Sequence, residues 1–288
     1  MHDERAYRKS LAQFRGYERK HDLAVVVHLY YPESWPLILQ KLKKSLGDTF
    51  DLFITMPAHN AAFAEMVRTD MPKAVIVVLP NRGRDVLPFL RVAEQLYRLE
   101  YVQLLKLHTK KSTHRTDGAD WFNELLSNLL PEGKKVVSQL FKTLDDTKTG
   151  IIGPAGQYMS LTVNFEANGM HMTRLLNRMY DHNTTYRTLQ TERAGHGFFA
   201  GTMFWARMDA LAPLLKANIP IRQFETEKGQ IDATLAHAME RVLGLLPEID
   251  HRAMYEIDPK GLKQISYDAG IVPDWSAVYI GPTDAKKA

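Results

Sequence analysis

Four short apolar runs alternate with stretches of helical spacing through the first third of the chain. The first, at 23–29, reads LAVVVHL, a near-continuous β-branched run that fits a parallel strand buried on both faces. Further strands are predicted over 50–56, 74–79 and 101–107. Between the first two, Pro36 stands near a helix start, and Leu37, Ile38, Leu42 and Leu46 recur at helical spacing up to Gly47. Helices are also predicted over 58–68 and 86–99. The order β-α-β-α-β-α-β, with short connections, predicts an α/β protein with a parallel sheet and right-handed crossovers.

The pattern continues less evenly. Helices are predicted from Gly118 through 130, closed by Pro131-Glu132-Gly133, and over 134–144, followed by a buried strand at 150–154. From 155 to 183 only 170–180 has helical spacing. Small and aromatic residues then alternate from Gly195 into a strand at 203–206 and a helix over 208–215. A last helix is predicted over 230–243, with Ile231, Leu235, Ala238, Met239 and Val242 on one side. Residues 1–20 are expected to add a basic helix packed on the domain. Leu11, Phe14 and Tyr17 lie at three-residue spacing beside basic residues, so contact with a membrane surface is an alternative use of that helix. The tail, 268–288, is loosely patterned.

Composition narrows the class. A chain of 288 residues, 45% hydrophobic and 24% charged, can bury a large core and reads as an ordinary soluble protein. It has no cysteine, which excludes disulfides, thiolate zinc sites and a cysteine nucleophile. No apolar run is long enough to span a bilayer, and the charged start lacks a signal peptide's apolar centre. A cytoplasmic location is expected. The net charge of +4 is mild, and the clusters at 5–20 and 41–44 read as solvated helix faces. No nucleic-acid-binding motif is present, so nucleic acid is not an expected partner.

Two polar turns stand out because they fall where apolar strands stop, the place where open α/β sheets put their ligands. Asn81-Arg82-Gly83-Arg84-Asp85 follows the third strand; His108-Thr109-Lys110-Lys111-Ser112 follows the fourth, with Lys106 just before it. They offer five Lys and Arg cations, His108, and the single carboxylate of Asp85. Alternation along a strand puts Lys106 and His108 on one face. An anionic ligand such as a diphosphate fits this set. A solvated basic turn, with Asp85 pairing an arginine and capping the next helix, is the rival.

PNRGRDVLPFL, KLHTKKS, GTMFWAR and IDATLAHAMER, in that order, resemble the rhamnan synthesis protein F family over roughly 23–246. The resemblance implies a glycosyltransferase that extends a rhamnose-containing cell-surface polysaccharide, with dTDP-rhamnose as donor and a glycan or lipid-linked glycan as acceptor. It also implies a single Rossmann-like domain of the GT-A type over 21–267, a mostly parallel central sheet flanked by helices. Within it, 21–154 would bind the nucleotide sugar and 155–267 would build the acceptor side. The Asn81-x-Gly83 turn, with Asp85, is similar to the nucleotide-site turn of that architecture.

The Asp-x-Asp metal motif of that architecture is replaced here by Lys106-Leu107-His108. Lys106, His108, Lys110 and Lys111, helped by Arg84, are therefore assigned to the donor diphosphate, with Lys110 acting in catalysis and Ser112 or Thr109 donating a hydrogen bond. No cofactor is expected; a divalent metal held by scattered ligands stays an open alternative. Glu227 and Asp232 are the candidates for general base by analogy with a late acidic motif, against a role as helix-N-terminal charge. His196, Gly201 and Thr202, with His237, Glu240 and Arg241, would line an acceptor groove, against simple packing on Trp205. A non-catalytic glycan- or nucleotide-binding module is the alternative function.

Overall fold

The computed structural model describes residues 2–109, 118–180, 185–192 and 195–266. The first half runs α1 (His2–Leu11), β1 (Leu23–His28), α2 (Trp35–Leu46), β2 (Asp51–Pro57), α3 (Ala64–Asp70), β3 (Val75–Leu79), α4 (Val86–Arg98) and β4 (Gln103–His108). Then follow α5 (Gly118–Leu129), α6 (Lys134–Asp145), β5 (Thr149–Pro154), β6 (Tyr158–Ser160), α7 (Phe165–Met179) and α8 (Tyr186–Glu192). The chain continues through β7 (Gly197–Phe199), β8 (Phe204–Arg207), α9 (Ala212–Lys216), α10 (Leu235–Ile249), β9 (Ala253–Asp258) and β10 (Gly261–Gln264).

Eight strands form one sheet in the order β10-β9-β5-β8-β4-β1-β2-β3. β3, β2, β1 and β4 are parallel, as the apolar runs predict; β8 lies antiparallel between β4 and β5. Both sequence halves thus contribute to one sheet. Alternation along each strand feeds two cores. Ala24 and Val26 of β1, with Leu104 of β4, pack with α4, α7 and α10. Val25 and Val27, with Leu105 and Leu107, pack with α2, α5 and α6. β1, β2 and β4 are buried along their whole length, which is why they read as unbroken apolar runs.

Several elements differ from the pattern. The N-terminal helix ends at Leu11 and gives way to a 3-10 turn at Ala12–Phe14, with Gly16 at φ 73° beyond it. Its apolar side is consumed in packing: Tyr7 is 1% exposed, and Phe14 stacks on Phe53 with ring centroids 5.7 Å apart. Ser10 Oγ and Gln13 Nε2 donate to the carbonyls of Val78 and Ile76, covering the open edge of β3. The helix expected over 58–68 begins as a 3-10 turn, Ala58–Phe63, because buried Asn60 is drawn in to donate to the carbonyls of Leu29 and Tyr30.

The last helix starts at Leu235, not at 230. Gly229 and Ala233 have positive φ, and Thr234 caps the helix by accepting from the His237 amide while His237 Nδ1 accepts from the Thr234 N–H. Ile231 and Asp232 are therefore outside the helix, and Ile231 is exposed. The β9–β10 hairpin is additional to the predicted elements.

Candidate functional site

Strand order reverses between β1 and β4, so a crevice is expected beyond their carboxyl ends. A small open cleft lies there. Arg84, Asp85 and Val86 enter it from the start of α4, and His108 from the end of β4. Trp121 comes from α5, Gly201 and Thr202 from the turn before β8, and Ala236, His237 and Glu240 from α10.

Its floor is a buried polar cluster. Lys106 Nζ lies 2.5 Å from Asp85 Oδ2, 2.6 Å from the Thr202 carbonyl and 3.0 Å from Thr202 Oγ1, which itself donates to Asp85 Oδ2 at 2.6 Å. The ammonium also sits 5.3 Å over the Phe89 ring. Burial pushes the Asp85 carboxyl up, but the charges of Lys106 and His108 and the hydrogen bonds from Lys106 and Thr202 outweigh it and hold the group well below the usual carboxylate range. Beside it, His28 is paired in register with His108 and bonds Thr55 Oγ1 through Nδ1 at 2.9 Å. Burial, opposed by Asp85 and reinforced by His108 and Lys106, pushes the His28 imidazole down to about 3. It is neutral at neutral pH.

The same cluster shapes the wall. Gly201 and Thr202 both have positive φ, 88° and 51°, a conformation that costs free energy for threonine. Lys106 and Asp85 hold Thr202 there, His108 Nε2 donates to the Gly201 carbonyl at 2.5 Å, and the Gly201 N–H donates to Glu240 Oε1 at 2.7 Å. A Cβ at Gly201 would stand 3.1 Å from the indole of Trp121, so the turn approaches that ring closely.

The structure thus brings Arg84, Asp85, His108, Gly201, Thr202, His237 and Glu240 together in one cleft. Others among the candidates are placed elsewhere. Lys106 is 1% exposed and its three protons are accepted by Asp85 and Thr202, so it lies beneath the cleft rather than meeting a diphosphate as a surface cation. Asp85 pairs with that lysine, not with an arginine, and its side chain does not cap α4. Thr109 is fully buried and its hydroxyl accepts from the amides of Tyr30 and Tyr31, so it serves the turn after β1.

Gly83 has φ 65° and lies under Phe224, which a Cβ would meet at 2.7 Å; its lack of a side chain serves packing. Asn81 is half-buried and is not among the residues lining the cleft. The late acidic segment folds back onto this turn. Arg82 donates to the Phe224 carbonyl and pairs with Asp3, while Arg84 bonds the Gln230 carbonyl and stands 3.5 Å from Glu227.

Asp232 accepts from Asn168 and lies 3.5 Å from Arg241 and 3.8 Å from His237. Arg241 is buried behind the helix, with its guanidinium 5.0 Å over the Phe198 ring. His196 bonds Glu248, eight residues and roughly 12 Å along α10 from Glu240, and does not line the cleft. Lys110, Lys111 and Ser112 lie outside the described residues. The sequence reading missed Trp121, whose indole N–H donates to Gln157 Oε1 at 2.9 Å. Its place at a helix start was visible, but nothing in the local pattern separates a cleft-facing tryptophan from a core one.

Comparison with known proteins adds family information. The profile described as "Rhamnan synthesis protein F" matches residues 6–252. Two curated proteins, each named "Uncharacterized protein WxcX" and found in two strains of Xanthomonas campestris pv. campestris, are 43% identical over 167 residues. The match covers 57% of this chain and 22% of theirs, so the chain aligns with about a fifth of the length of these relatives.

Proposed function

This chain belongs to the rhamnan synthesis protein F family, and we propose that it is a glycosyltransferase that moves a sugar, rhamnose from dTDP-rhamnose, onto a growing cell-surface glycan. The observation that carries this is the cleft at the strand-order reversal, where an arginine, two histidines, carboxylates and an indole converge. A mostly parallel sheet flanked by helices also fits the GT-A-type domain that the resemblance implies.

Departure of a nucleoside diphosphate develops negative charge that fixed cations must meet. Arg84 and His108 line the cleft and supply that charge and hydrogen bonding from the described residues. Lys110, Lys111 and Ser112, two to four residues after His108 in the chain, remain candidates for the same role from the sequence alone. Lys106 acts indirectly, by neutralising Asp85 and holding the 201–202 turn. Of the late carboxylates, Glu240 is the one that lines the cleft, anchored through one oxygen by the Gly201 N–H. It is favoured as general base over Glu227 and Asp232, which face Arg84 and Arg241.

The test is release of dTDP from dTDP-rhamnose in the presence of a rhamnan oligosaccharide. Glu240→Gln should lose turnover and keep donor affinity; unchanged turnover would remove Glu240 from that role. A second possibility, a non-catalytic glycan- or nucleotide-binding module, draws on the burial of Lys106, which takes one cation away from the diphosphate. Binding of dTDP-rhamnose without turnover in wild-type protein would favour it.

A further inference from the structure

Resting on the transferase assignment above, we infer that Trp121 is the wall against which the transferred sugar ring stacks, which makes it a specificity-determining residue of the donor subsite. Three observations converge on it. The indole is partly buried against the core beside α5 and also lines the cleft, a lining it shares with Glu240, Asp85 and His237. An apolar ring face beside carboxylates and imidazoles suits a pyranose, which offers C–H groups on its faces and hydroxyls around its rim.

The ring is also held in place. Its N–H donates to Gln157 Oε1 at 2.9 Å, and its six-membered edge meets Gly201, where an added Cβ would stand 3.1 Å from the indole. Gly201 has φ 88° and is tied on one side to His108 and on the other to Glu240. One residue thus couples the aromatic wall to the imidazole assigned to the diphosphate and to the carboxylate assigned as base.

Val86 and Ala236 add apolar surface to the same cleft. Its lining therefore alternates small apolar and strongly polar groups, as expected of a pocket that grips a small amphiphilic ring and orients it with few hydrogen bonds.

The experiment is calorimetric titration of dTDP and of dTDP-rhamnose into wild-type protein, Trp121→Ala and Trp121→Phe, with melting temperatures as the check on folding. In wild type the sugar should add about tenfold to the affinity of dTDP alone. Trp121→Ala should lose that advantage while dTDP affinity changes less than about twofold, and Trp121→Phe should keep part of it. An undiminished advantage in Trp121→Ala, or none in wild type, overturns the assignment. If wild type binds neither compound, the donor assignment falls, and the subsite is judged by saturation-transfer NMR with methyl α-rhamnoside. A signal in wild type that Trp121→Ala lacks supports the aromatic wall; no signal in wild type, or an equal one in both, overturns it.

Discussion

Lys106 Nζ and Asp85 Oδ2 stand 2.5 Å apart in the interior, one from the end of β4 and the other from the turn before α4. Their side chains are 1% and 7% exposed. Taking two charges out of water is costly, and the pair persists because Thr202 supplies both an acceptor carbonyl and a hydroxyl to it. Removing one partner leaves the other uncompensated. Lys106→Met should therefore destabilise the protein by about 3–5 kcal/mol in urea unfolding, and adding Asp85→Asn should recover part of the loss. A loss below about 1 kcal/mol in the single variant would show that the pair is solvated, contrary to the geometry.

Acid sensitivity should come first from His28. Its folded pKa is about 3 against the ordinary value of 6.5, so below pH 6.5 the unfolded chain binds a proton that the folded chain refuses. Stability contributed by the neutral imidazole is therefore complete above that range and falls as pH drops toward 3. Between pH 7 and pH 5 the loss from this group should be about 2 kcal/mol, and His28→Asn should lack it. Asp85, whose folded pKa is depressed, adds a loss only below the ordinary carboxylate range, so the two windows separate. Equal slopes in wild type and variant between pH 7 and pH 5 would contradict the assignment.

The cap of α10 positions the cleft. Thr234 accepts from the His237 amide, and His237 and Glu240 enter the cleft from the first turns that this cap starts. Thr234→Ala should cost about 1 kcal/mol and fray that end. Faster amide exchange at 235–238, with exchange at 243–246 unchanged, is the expected signature.

Gly83 should tolerate no side chain. Its φ is 65°, and a Cβ would lie 2.6 Å from Leu87 Cβ and 2.7 Å from the Phe224 ring. Gly83→Ala should destabilise by about 1–3 kcal/mol. Stability equal to wild type would mean that the 224–230 segment does not rest on this turn.

The parallel half of the fold was legible because β1 to β4 are covered on both faces, which leaves continuous apolar runs such as LAVVVH ended by polar turns. The start of α10 was not legible, since the apolar spacing runs back through Ile231 and only the Thr234–His237 capping box breaks it. The β9–β10 hairpin went unread although Asp258-Pro259-Lys260-Gly261 is a turn sequence, with the Asp258 carboxylate accepting from the next two amide N–H groups beyond Pro259.

The site was half readable for the same kind of reason. Local order placed Arg84, Asp85 and His108 at strand ends. The partners that bury Lys106, above all Thr202, come from nearly a hundred residues away and leave no local trace. Trp121 likewise gains its place through Gly201 and Gln157, both distant in the chain.

The central claim is that a nucleoside diphosphate binds beside Arg84. Melting temperatures of wild type and Arg84→Ala, each with dTDP, UDP, GDP or CMP in magnesium and in EDTA, test it most directly. At a hundredfold its dissociation constant a bound nucleotide stabilises by about 2.7 kcal/mol. One diphosphate should raise the wild-type melting temperature, in EDTA as in magnesium, and should raise that of Arg84→Ala far less. No shift with any nucleotide, or an equal shift in the variant, would contradict the account.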